Sequence, residues 1–259
     1  MLKLENINKS FNIGTVDETQ IFDNFNLEIR DNEFVSIIGS NGSGKTTLLN
    51  MIGGSDYAQS GKILFDGVDI SPQKEYRRAE YIARVFQDPK VGTCAGLSVL
   101  ENMSLADNKT KKFGLSFAIN KKRADYYKDL LRECDMGLEA KLNTQVNSLS
   151  GGQRQALALV IANMNKSKLM ILDEHTAALD PKSSDIIMEL TNKFARKNKA
   201  STLMVTHNLK HALNYGSRII MMHEGHIVLD KSEKDKDTLV LQDVLNLFNE
   251  ISIEAGNGL

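Results

Sequence analysis

Behind the strand-like run "EFVSII" stands "GSNGSGKTT", Gly39–Thr47. This stretch offers almost nothing to bury, so it cannot be ordinary core. Its spacing fits G-x-x-x-x-G-K-[ST] at Gly39, Gly44, Lys45 and Thr46. A predicted strand precedes it and a predicted helix, "TTLLNMIGG", follows, which is the context the pattern requires. Glycines let the backbone curl until several N–H groups point at one phosphate. The helix starting near Lys45 turns its positive dipole end to the same place. The candidate phosphate-binding residues are Gly39, Ser40, Asn41, Gly42, Ser43, Gly44, Lys45, Thr46 and Thr47. Lys45 can reach the outer phosphates of a nucleotide, and the Thr46 hydroxyl can ligate Mg²⁺.

"LMILDE" sets Asp173 and Glu174 at the end of an apolar strand. In a parallel sheet, ligands sit at the carboxyl ends of strands. Asp173 is a candidate Mg²⁺ ligand. Glu174 can orient and polarise a water against the γ-phosphate, which points to hydrolysis rather than binding alone. For Glu174 alone, a surface turn acid is the plain alternative.

"SLSGGQRQALALVIANM" holds a second anion-ready helix start. Ser150 and Gln153 have capping-box spacing, with Ser150 as N-cap. Gly151 and Gly152 leave the first-turn N–H groups bare. One nucleotide is already served by the Gly39–Thr46 loop, so this start points to the nucleotide of another molecule. An ordinary capped helix, its glycines easing a turn, is the alternative. His207 and His211, four apart, raise a metal pair, but no third ligand has fitting spacing.

Bulk composition narrows the class. The chain has 259 residues and 41% apolar residues, enough for a sizeable core. With 32 basic against 33 acidic residues there is no basic excess, so no nucleic-acid partner is expected. Cys94 and Cys134 stand far apart, which fits a reducing compartment rather than a disulfide framework. No secretory signal is read at the N-terminus. No apolar run approaches the roughly 18 residues that would span a bilayer. Short strands alternate with helices after residue 165, which predicts a parallel sheet with helical crossovers. The first 70 residues read as strands and turns.

Leu149–Gln153, "LSGGQ", matches the signature of ATP-binding-cassette (ABC) ATPases, and the chain resembles that family over nearly its whole length. Gly39–Thr47 resembles the Walker A loop, and Asp173 with Glu174 the end of the Walker B strand. Gln87 in "VFQDP" resembles the Q-loop glutamine, which contacts Mg²⁺ and water. "AALD", ending at Asp180, resembles the D-loop, and His207 in "VTHN" the switch histidine. Phe11 lies where the family places an aromatic that stacks on adenine; a core residue is the alternative reading. His175 stands where a proline usually follows the glutamate, Ala177 where a serine is frequent, and Ile161 near a frequent arginine.

The resemblance implies an α/β fold: a P-loop NTPase core of the ABC type, an N-terminal antiparallel β-subdomain and an inserted helical subdomain carrying the signature. The expected bounds are about 1–86 and 166–230 for the core and about 87–165 for the helical part. A short helical tail is expected over about 236–252. The implied activity is ATP hydrolysis with Mg²⁺, by Glu174, His207, Gln87 and Lys45, in a head-to-tail pair of chains. Ser150, Gly151, Gly152 and Gln153 of one chain then meet the ATP held by the other. The implied partners are a second copy or a paralogous ATPase subunit and separate membrane permease chains, with a solute-binding protein if the transporter is an importer. The place expected is the cytoplasmic face of the membrane. The motifs resemble prokaryotic importers of amino-acid-like solutes. A soluble single-cassette ATPase of iron–sulfur assembly is the alternative.

Overall fold

The computed structural model describes residues 1–109, 119 and 121–232. The expected tail helix lies outside these residues, as does most of the basic stretch "KKFGLSFAINKKR". In chain order the elements are β1 (Leu2–Phe11), β2 (Thr19–Ile29), β3 (Phe34–Gly39), α1 (Lys45–Gly53), β4 (Ser60–Phe65), β5 (Val68–Asp69), α2 (Glu75–Arg78), β6 (Ile82–Val85), α3 (Val99–Asn108), α4 (Ala124–Arg132), α5 (Gly151–Asn163), β7 (Leu169–Asp173), α6 (Pro181–Asn198), β8 (Ser201–Val205), α7 (Leu209–Tyr215), β9 (Arg218–His223) and β10 (His226–Lys231). They form two compact units. One joins Met1–Arg78 to the described residues from Ser201 onward; the other is Ala79–Ala200.

The first unit holds an antiparallel sheet in the order β2-β1-β4-β5. Alternation along β1 buries Leu2 and Leu4, then Ile7 and Lys9. The buried face changes parity at Asn6, which takes φ 52° at a register shift. A one-residue bulge of this kind moves every later side chain to the other face. Lys9 tolerates burial because its Nζ donates to Asp56 Oδ1 at 2.6 Å and to the Tyr57 carbonyl at 2.9 Å.

In the same unit β3 lies between β8 and β9, parallel to both, and β10 closes the edge antiparallel to β9. Each residue of β3 is buried, as expected of a strand covered on both faces. Ile38, Ile219 and Met221 pack with Ala212 of α7, and Leu209, Leu213 and Leu229 close over them.

Arg78 is 1% exposed. Its guanidinium donates to the carbonyls of Met51, Ile52, Ser71 and Gln73 at 2.5–3.0 Å. Met51 and Ile52 belong to the last turn of α1, where carbonyls lack helical partners and a cation is favoured.

In the second unit β6 and β7 are parallel, with Ile82 opposite Leu169 and Val85 opposite Leu172. α5 packs against β6, α3, α4 and α6. The run Gln155–Val160 is buried all round, so the apolar stretch around "ALALV" is the central helix of this unit. Cys134 and Cys94 are free thiols; burial pushes Cys134 up to about 12. Among the described residues no helix is long and apolar enough to cross a membrane.

Candidate nucleotide site

Parallel pairing sets the phosphate loop. Ile37 lies opposite Val205 and Gly39 opposite Met222, so β3, β8 and β9 end on one edge. The loop from Ser40, His207 and His223 all follow from that edge. At Gly39 a Cβ would meet the Met222 carbonyl oxygen at 2.2 Å, so no side chain fits. Gly44 caps α1 with φ 94°, a conformation that favours glycine, and no side chain caps the helix there. The first-turn N–H groups of α1 therefore face the loop without a side-chain acceptor.

Lys45 is buried, and its Nζ donates to the carbonyls of Gly39 at 2.9 Å and Ser40 at 2.7 Å and to Ser43 Oγ at 3.2 Å. The ammonium thus sits inside the curl of the loop. The turn after β9 braces the loop from outside: Gly225 N–H donates to the Ser43 carbonyl at 3.2 Å, and His223 Nδ1 lies 3.4 Å from Ser40 Oγ. Neither residue stands out in the sequence; the only local signal is a Glu-Gly turn after an apolar strand. Thr46 is exposed and Thr47 half-buried.

Phe11 ends β1 and is 39% exposed, which places it outside the core, with Lys9 Nζ 4.6 Å from its ring centroid. An exposed ring can offer its face to a base. His207 follows β8 and is exposed, whereas His211 lies in α7 and is buried. α7 starts only at Leu209, capped by Asn208, so the two histidines do not share a helical face.

In the second unit Asp173 ends β7, with its Oδ2 3.4 Å from Arg84 Nη2. Arg84, in β6, is a neighbour that the linear pattern did not reveal; its guanidinium also lies over the Phe86 ring at 4.6 Å. Glu174 takes φ 45°, and its carbonyl accepts from Ala177 N–H at 2.9 Å. Such left-handed non-glycine residues concentrate at functional turns.

The capping box at α5 is formed. Ser150 Oγ accepts from Gln153 N–H at 3.2 Å, and Gln153 Oε1 accepts from Ser150 N–H at 3.3 Å. Lys141 also donates to Gln153 Oε1 at 3.0 Å, and Gln153 Nε2 donates to the Met136 carbonyl at 3.1 Å. Gly152 is closely packed, for a Cβ there would meet Ser183 Oγ and Met136 Cε at 3.2 Å. Gln87 and Gly151 line one cavity of about 370 Å³, together with Arg154, Gln155 and His175. Asp180 caps α6 by accepting from Ser183 N–H at 3.0 Å, and the bonds from Ser183 hold its carboxyl below the usual carboxylate range.

Each candidate donor, taken by itself, has chemistry that suits Mg²⁺. Thr46 offers a hydroxyl, Asp173 a carboxylate and Gln87 an amide oxygen, all hard oxygen donors. Among the described residues there is no group of three His, Cys, Asp or Glu that could cage a metal. Mg²⁺ is commonly held by one or two protein oxygens together with substrate phosphates, so it needs no such cage.

The family model described as ABC transporter matches residues 22–177, which include the phosphate loop, Leu149–Gln153 and the Asp173–Glu174 pair. A tyrosine transport ATP-binding protein of Clostridioides difficile is 47% identical over 96% of this chain and 98% of its own. A macrolide export ATP-binding/permease protein of Campylobacter fetus is 37% identical over 89% of this chain, but only over 34% of its own length. A dimeric ATP-binding cassette in a post-hydrolysis state, bound to ADP and Pi, superposes with TM-score 0.77 at 31% identity, covering 90% of this chain and 99% of that one. The phosphate loop, the serine-capped helix start and the acidic strand end all lie within the residues that the family model matches. The chain belongs to the ABC transporter family, as an ATP-binding cassette that hydrolyses ATP to ADP and phosphate.

Proposed function

We propose that this chain is the separate motor subunit of a multi-chain importer for an amino acid of the tyrosine class, seated on permease chains at the cytoplasmic face of the membrane. The likeness to the tyrosine transport protein supports this reading, because it runs almost end to end in both chains. A solute-binding protein delivers the amino acid. In this reading residues of about 1–86 and 166–230 carry the nucleotide core and about 87–165 the signature helices, a division by role that differs from the two compact units, which part at Arg78 and at Ser201.

Two copies face head to tail, or one copy faces a paralogue. The Gly39–Thr47 loop of one chain and Ser150–Gln153 of the other enclose each ATP. The N–H groups of Gly151 and Gly152 at the start of α5 suit a γ-phosphate supplied by another chain. Phe11 stacks on adenine. Lys45 places a fixed cation on the outer phosphates, and His207 donates a hydrogen bond to the γ-phosphate. Thr46, Asp173 and Gln87 hold Mg²⁺, which when bound neutralises charge on the phosphates. Glu174 polarises the attacking water. Much of the barrier lowering comes from charge stabilisation by Lys45 and the opposing helix start. Asp180 lies at the contact between chains.

The test is reconstitution of the complex with its co-purified permease in liposomes. ATP should drive flux of labelled tyrosine with the wild-type chain. With Glu174→Gln, ATP should still bind, hold the two chains together, and drive no flux. ATP hydrolysis without flux of tyrosine or any other amino acid would reject the solute class.

A further inference from the structure

His175 directly follows Glu174. Its side chain is a buried imidazole, 2% exposed, and its Nε2 lies 3.1 Å from Thr191 Oγ1 in α6. The Thr191 hydroxyl itself donates to the Ile187 carbonyl at 2.7 Å, one turn back in the same helix. A hydroxyl has a single proton. Oγ1 can therefore only accept from His175, and the ring carries its proton on Nε2. A buried donor and a buried acceptor are matched, and the peptide after Glu174 is tied to an 18-residue helix.

The tie lies beside a conformation that needs support. Glu174 has φ 45°, and residues other than glycine stay there only when their surroundings hold them. Within the turn, Ala177 N–H holds the Glu174 carbonyl at 2.9 Å. The His175 ring supplies the link from that turn to the body of α6. Where the backbone of Glu174 points decides where its carboxylate can reach.

We propose that His175 is a positioning residue for hydrolysis: its Nε2–H bond to Thr191 holds the left-handed Glu174 and aims the Glu174 carboxylate at the water. The inference rests on the role proposed above for Glu174.

Steady-state ATPase of the full chain tests it, with kcat and KM for ATP measured separately. Thr191→Val keeps the shape and removes the acceptor; His175→Leu removes the donor. Each should lower kcat about tenfold or more, the scale of a small misplacement of a reacting group. KM for ATP should stay within about twofold, since the phosphate contacts are untouched. Thr191→Ser and His175→Gln keep acceptor and donor and should remain within about threefold of wild-type kcat. The double variant His175→Leu/Thr191→Val should be no slower than the slower single variant, because both remove one interaction. Thermal melting establishes which variants are folded at the assay temperature. If Thr191→Val does not fold, His175→Gln against His175→Leu decides.

Wild-type kcat in Thr191→Val and His175→Leu, with hydrolysis lost in Glu174→Gln, would make His175 a packing residue and overturn the proposal. Equal losses in Thr191→Ser and Thr191→Val would overturn it too, for the hydroxyl would then be irrelevant. Wild-type hydrolysis by Glu174→Gln would instead remove the role of Glu174, and the proposal with it.

Discussion

Lys45 Nζ donates to the carbonyl oxygen of Gly39 at 2.9 Å, across the curl of the loop that both residues bound. The cation is therefore held at the centre of the loop by the loop's own backbone. Replacing it by alanine removes both the charge offered to a nucleotide and the tie that closes the curl.

Lys45→Ala should accordingly weaken ATP binding by about 3 kcal/mol, roughly a hundredfold in Kd, the scale of a hydrogen-bonded charge. Equilibrium titration with a fluorescent ATP analogue measures it. A folded variant with wild-type affinity would show that Gly39–Thr47 is not the phosphate site.

Arg78 supplies a test of stability without touching the proposed chemistry. Arg78→Met keeps the aliphatic stem and strands carbonyls of Met51, Ile52, Ser71 and Gln73. Stranded buried acceptors should cost about 3 kcal/mol, which for a chain of this size lowers Tm by roughly 6–12 °C. Calorimetry with and without denaturant would detect it, and an unchanged Tm would mean that water replaces the guanidinium.

Acid should loosen the helix caps of the second unit. Glu101 is held below its ordinary value of 4.5 by hydrogen bonds from Ser98, and Asp180 below 3.8 by those from Ser183. A depressed folded value means the carboxylate's contribution is complete above the ordinary value and is lost as pH falls through the folded one. Melting curves should fall off below the ordinary values of 4.5 and 3.8. Asp180→Asn still caps but cannot titrate, so its Tm should decline less steeply over that range. Identical acid slopes in the two proteins would exclude Asp180 from the effect.

Local patterns in the sequence determined a good deal of this molecule. The glycine loop between strand and helix and the Ser150–Gln153 capping box each form where their own residues predict. These signals lie within a few residues of one another, so a cap, a turn or a period needs no knowledge of the rest of the chain. Only the tertiary structure decided the rest. The short strand β6 shows no period of its own and exists by pairing with β7. Nothing in the sequence around Arg78 points to the α1 carbonyls that its guanidinium meets. His223 reaches Ser40 across 183 positions because β9 lies on β3, and Arg84 reaches Asp173 across 89 because β6 lies beside β7. His175 meets Thr191 because α6 packs back onto the turn after β7. Such pairs depend on the register of parallel strands joined by long crossovers, and strand register is set by packing of the whole sheet, which no single segment encodes.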